Sequence, residues 1–296
     1  WGDGGRNGAK FGANSLTVWN GNVEDYNYSR FMVDSGARIV YKKPVKMWGY
    51  AASKSYNMLP AASAKRRPSL RFEAQNTVET DAYPVNLYGN SRDYPAGLRV
   101  ELAADHAFSR GTFLVQELVE IDLCGYDQGM SKITGTGTIR SDAPAFLELN
   151  AAAETTNEVQ CAFADKAGFR MVGAGLARLT GASSSAGGIA VGSGTVELAT
   201  AWTNATSVTV SAGGKLVVEA NRAVAKTASM SLAGVGALAV RSPSGVIKVA
   251  SLALTNPTTG ETTSYTTGDF NASNSWGLVS EGTVQVGARG LLLIVR

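Results

Sequence analysis

Gly175-Leu-Ala-Arg-Leu179, Gly194-Thr-Val-Glu-Leu198, Gly214-Lys-Leu-Val-Val218 and Gly236-Ala-Leu-Ala-Val240 repeat one pattern: a glycine with apolar residues two and four positions later. The four glycines are separated by steps of 19, 20 and 22 residues. Alternation with period two marks strands that bury one face. It turns Ala177, Leu179, Val196, Leu198, Leu216, Val218, Leu238 and Val240 inward. The glycine before each strand lets the chain turn at positive φ or lie close to the coil below. Equivalent strands recurring every ~20 residues stack in parallel at ~4.8 Å per coil. The pattern therefore predicts an all-β chain, a right-handed parallel β-helix (β-solenoid). An antiparallel sandwich stays open as the alternative, since some neighbouring runs would also pair as hairpins. Gly282-Thr-Val-Gln-Val286, 46 residues beyond Gly236, is read as lying two coils further along.

Working outward, the composition agrees with this reading. The chain has 296 residues, of which 34 are glycine and 17% are charged; glycine is above and charge below the usual ~7% and ~25%. Only Thr112 to Leu123 has a plausible helical composition, and its Phe113, Val115, Leu118, Val119, Ile121 and Leu123 suit strands as well. No run approaches the ~18 apolar residues of a membrane helix, so no membrane span is expected. Three regions are expected: 1–110, basic and irregular β-helix coils; 111–260, regular repeats; 261–296, capping strands. In the last, polar turns and the isolated rings of Tyr265, Phe270 and Trp276 break the repeat, as a cap that closes the final coil would. With Trp1 as its first residue, the sequence is expected to lack a leader that the full translated chain would carry. The two cysteines, Cys124 and Cys161, make neither a disulfide framework nor a zinc cluster. They read as small buried hydrophobes, or as a bridge between nearby coils.

Residues Gly168 to Leu198, GFRMVGAGLARLTGASSSAGGIAVGSGTVEL, resemble the autotransporter-associated β-strand repeat. Gly168, Gly173, Gly175, Gly181, Gly187, Gly188 and Gly194 fall on the glycine pattern of that family. The lysine usual before its first Gly-x-Gly is replaced by Met171 or Val172. The resemblance is close over this stretch and looser over 130–296. It implies a bacterial exported protein with a β-helical passenger, extracellular or on the cell surface. The outer-membrane barrel of such proteins is not in this sequence.

The net charge of +3 is uneven. Residues 1–110 carry 15 Lys/Arg against 10 Asp/Glu, and 111–296 carry 12 against 14. Arg38, Lys42, Lys43, Lys46, Lys54, Lys65, Arg66, Arg67 and Arg71 follow one another with no intervening acid, interleaved with Tyr41, Trp48, Tyr50 and Tyr56. The plainest reading is a solvated loop between coils. The functional one is an anionic-glycan site at Lys42, Lys43, Lys46, Trp48, Tyr50, Arg66 and Arg67, with cations on carboxylate or sulfate and rings on sugar faces. Phosphate contacts to nucleic acid come third.

Enzymatic β-helices need a base beside carboxylates or paired carboxylates on neighbouring strands. Here Asp105-His106 is the one acid–histidine pair, a structural histidine being its ordinary meaning. Asp81, Asp93 and the other carboxylates show no coil-spaced ladder. No catalytic residue, metal site or cofactor is expected, since P-loop, dinucleotide, zinc and triad signatures are missing. The expected function is a non-catalytic extracellular scaffold, adhesive or filament-forming. The runner-up binds or cleaves an acidic polysaccharide, as a lyase or glycosidase would. Filament formation would run head to tail through Leu291, Leu292 and Leu293, because unlike solenoid ends make heterologous contacts.

Overall fold

The computed structural model describes residues 8–12, 14–19, 23–24, 30–33, 35–47, 56–60, 66–78, 84–89 and 96–287. They form a parallel β-solenoid, and among them there is no helix, hence none long and apolar enough to cross a membrane. Each coil contributes to three ladders that run along the rod. The first holds Thr112–Val115 and Lys132–Thr134, then Thr156–Val159, Leu176–Leu179, Gly194–Leu198, Gly214–Val218, Leu238–Val240 and Val279–Glu281. The second runs through Arg38–Tyr41, Ser69–Phe72, Leu98–Leu102 and Val119–Asp122. It then takes the first halves of two long strands, Thr138–Leu149 and Ala162–Met171. Their second halves turn the corner into the third ladder, with Ile189–Val191, Ser207–Val210, Ser229–Ala233 and Ser251–Thr255.

The glycine-led strands stack as their pattern requires. Gly194 lies opposite Gly214, and Leu198, Val218 and Val240 succeed one another in register. All eight alternate residues read as inward are buried. The glycines serve by both routes. Gly194 sits at φ +64°, while at Gly175 a Cβ would come 2.3 Å from the Ala152 carbonyl oxygen. Rings extend the aliphatic stack into the other coils: Tyr41 stacks on Phe72 at 5.0 Å, Phe72 meets Phe108 at 5.2 Å, and Phe108 meets Phe113 at 5.3 Å.

Three local expectations change. Thr112 to Leu123 forms two strands on different ladders, Thr112–Val115 and Val119–Asp122. Gly282 to Val286 does not continue the first ladder; Val279–Glu281 does, and Thr283–Val286 pairs with Val246–Val249 on the second. The 46 residues are not two coils, because the chain leaves the solenoid between them. It turns back as Thr262–Tyr265, antiparallel to Ser251–Thr255, and as Gly268–Phe270, antiparallel to Thr283–Val286. Phe270 is buried against Tyr265, while Trp276 is 42% exposed. Both cysteines are free thiols. Burial pushes Cys124 up to about 11, and Cys161 up to about 12, so both stay protonated.

Two ladders are interrupted. In the first, Lys132–Thr134 ends one sheet and Thr156–Val159 begins the next, with no strand pairing between them. Asn157 breaks the inward row at this point: it is buried, lies opposite Ala177, and neither amide atom has a hydrogen-bond partner among the described residues. In the second ladder, Val224 bridges down to Trp202, but Val246–Val249 pairs only upward with Thr283–Val286.

Candidate functional site

Outward positions of the second ladder carry a lattice of ion pairs. Arg71, Glu101, Asp122 and Arg140 stand in one row of the register, which corrects the expectation that no carboxylates are coil-spaced. Arg99 donates to Asp122 and lies 3.6 Å from Glu101 and 3.5 Å from Glu120. Arg38 reaches Glu101 at 2.9 Å and Arg140 reaches Asp165 at 2.8 Å. A hollow of about 460 Å³ opens over Arg38, Arg71, Arg99, Glu101, Asp122 and Cys124. Both signs line it in close balance, so its field is largely spent within the protein.

Of the residues read as glycan-binding, Arg67 is held by Glu120 at 3.0 Å and Arg66 donates to Asn14. Lys42 and Lys43 are exposed, with no carboxylate partner among the described residues. Lys46 belongs to the strand Val45–Met47, but its side chain lies outside the described residues, as do Trp48 and Tyr50. Leu291, Leu292 and Leu293, the self-association residues, and Asp81 and Asp93 also fall outside them. The basic run is thus split: its described arginines are engaged by partners on other coils, and two lysines remain free of them.

His106 sits at φ +48°, with Nδ1 3.2 Å from Asp105 and Nε2 3.1 Å from Glu148. Burial lowers its pKa, but hydrogen bonds to Glu148 and Asp105 and their charges outweigh this, and the net shift is upward. With a carboxylate on each nitrogen, the ring is a two-armed donor when protonated and offers no free lone pair as a base. Glu148 also accepts from Arg170, which reaches Asp127 at 2.9 Å and lies 4.2 Å over the Phe146 ring. No group of three or more His, Cys, Asp and Glu able to hold a metal occurs among the described residues.

The interrupted second ladder forms a slot of about 600 Å³ between the segment 221–226 and the strand Val246–Val249. Arg222, Lys226 and Lys248 line it, all exposed, with no carboxylate in the lining and none paired to them among the described residues. Sequence reading missed this site, because it depends on which coils fail to pair. The one available signal was that none of the three cations has an acid directly beside it in the chain. Comparison with protein-family models, with curated proteins and with solved structures gives no match in any of the three, so fold and site rest on this chain's own geometry.

Proposed function

We propose that this chain is a non-catalytic scaffold, a rigid rod of the kind found on bacterial surfaces and in extracellular matrices. The observation that carries this reading is the reach of its outward ion pairs. Arg38 to Glu101, Arg170 to Asp127 and Arg178 to Glu219 (3.1 Å) each skip a coil to join the one beyond. Single exposed pairs contribute ~0–1 kcal/mol, and networks more. Staples that span two coil steps resist bending and twisting of the rod, which a lone pair between neighbours does less well. The likeness of Gly168 to Leu198 to the autotransporter-associated repeat supports export.

The test combines shape with chemistry. Small-angle scattering of the purified chain should give an elongated particle, and incubation with uronate and sulfated polymers should release no unsaturated or reducing ends. His106→Ala should change neither result. Turnover that falls with His106→Ala would overturn the reading. The alternative, an acidic-polysaccharide module acting through the basic N-terminal run, is supported by Lys42 and Lys43, and their double glutamine variant tests it by retention on immobilised heparin.

A further inference from the structure

We propose that the slot in the second ladder binds an acidic glycan, a polysaccharide carrying carboxylate or sulfate groups. This goes beyond the scaffold reading, which stands without it.

The slot is a built opening with closed ends. On one side Gly214–Val218 pairs with Leu238–Val240, and on the other Ser229–Ala233 pairs with Ser251–Thr255. Those ladders hold the two coils at the ordinary ~4.8 Å spacing. Between them, no backbone hydrogen bond joins the segment 221–226 to Val246–Val249. The Gly245 and Val249 carbonyls accept from Thr283 and Gly287, so Val246 and Lys248 turn their N–H and C=O groups the other way, into the gap. Ser244 Oγ meets the Val246 carbonyl at 3.2 Å. On the facing side, Trp202 N–H donates to the Ala223 carbonyl, which leaves Val224 turned toward the gap.

Charge and the polar rim select the occupant. Arg38, Arg67, Arg71, Arg99, Arg140, Arg170, Arg178 and Arg241 all have carboxylate partners. Arg222, Lys226 and Lys248 have none among the described residues, so their field is available to a partner. Arg222 and Lys226 stand on one side of the slot and Lys248 on the strand that faces them, so three cations are distributed around one opening. A polymer with repeated anionic groups spans them. Among the described residues no aromatic ring lines the slot, so nucleic-acid bases find no stacking platform there. On its rim the Thr203 hydroxyl and the Asn221 amide NH2 instead offer groups that sugar hydroxyls pair with, Asn221 Oδ1 accepting from the Ser244 N–H.

The experiment measures binding of heparin and polygalacturonate, with poly-glutamate and single-stranded DNA as competing classes, to the purified chain. Arg222→Gln, Lys226→Gln and Lys248→Gln keep exposed side chains of similar length and leave the core untouched. Each should lower glycan affinity about fivefold and flatten its salt dependence. Lys166→Gln, at an exposed lysine outside the slot, should leave it unchanged. Failure of wild type to bind either glycan at low salt overturns the proposal. So does loss confined to the Lys42/Lys43 variant, which would place binding on the N-terminal run. Tighter binding of poly-glutamate or DNA than of both glycans, abolished by the slot variants, overturns the choice of ligand. None of these outcomes touches the scattering profile or the missing turnover on which the scaffold reading is judged.

Discussion

At the scale of single residues, glycine and histidine carry the clearest consequences. Gly194 combines φ +64° with a neighbour so close that an added Cβ would stand 2.4 Å from the Gly173 carbonyl oxygen. Gly194→Ala therefore pays for a left-handed backbone and a backbone clash together, and should cost about 2 kcal/mol or more in urea unfolding. Gly213, with φ +92° and open space around it, is the control that isolates the conformational part. His106 tells a different story, one of pH. Its folded pKa is raised above the unfolded value, so its contribution is fully present below about pH 6.5 and fades as pH rises through the folded value. His106→Gln should thus destabilise the chain more at pH 5.5 than at pH 9, measured by urea midpoints at both. Equal costs at the two pH values would mean the ring acts through packing alone.

Strands and rows set the next scale. Leu198, Val218 and Val240 form one aliphatic column, each no more than 3% exposed. Val218→Asp places a charge there with no donor in reach, and should cost more than about 4 kcal/mol, visible as loss of the cooperative β-sheet transition in circular dichroism. Lys215→Asp, three residues back on the opposite, half-buried face of the same strand, should cost much less. The column was legible in the sequence because the coils from Gly175 to Gly236 have nearly constant length, so period-two alternation and glycine spacing reinforce each other. The N-terminal coils concealed theirs: Arg38 to Ser69 is one register step of 31 residues, while Glu101 to Asp122 is 21 and Asp122 to Arg140 is 18. Unequal loops scrambled the charge rows, and the lattice around Arg99 surfaced only when the strands were set side by side. The slot was hidden for another reason, since a missing ladder hydrogen bond leaves no mark on residue type.

At the scale of the whole molecule, the rod must end without exposing a growing edge. Thr262–Tyr265 lies antiparallel on Ser251–Thr255 and presents a polar surface, Thr262, Thr263 and Ser264 all being exposed. Removing residues 256–267 with a short linker should uncover Ser251–Thr255 and give concentration-dependent growth in light scattering. An unchanged particle size would show that the rest of the chain protects that edge. The interrupted first ladder bears on how such a rod comes apart. A solenoid behaves as a one-dimensional array in which each unit is held by its neighbours, and between Lys132–Thr134 and Thr156–Val159 one of three couplings is missing, with an Asn157 amide beside the gap that has no partner among the described residues. Unfolding that begins at either end should pause there and, by the same argument, at the slot between Val224 and Val246–Val249. Native-state hydrogen exchange would report steps in amide protection at these joints, with Asn157→Leu reducing the one beside Thr156–Val159.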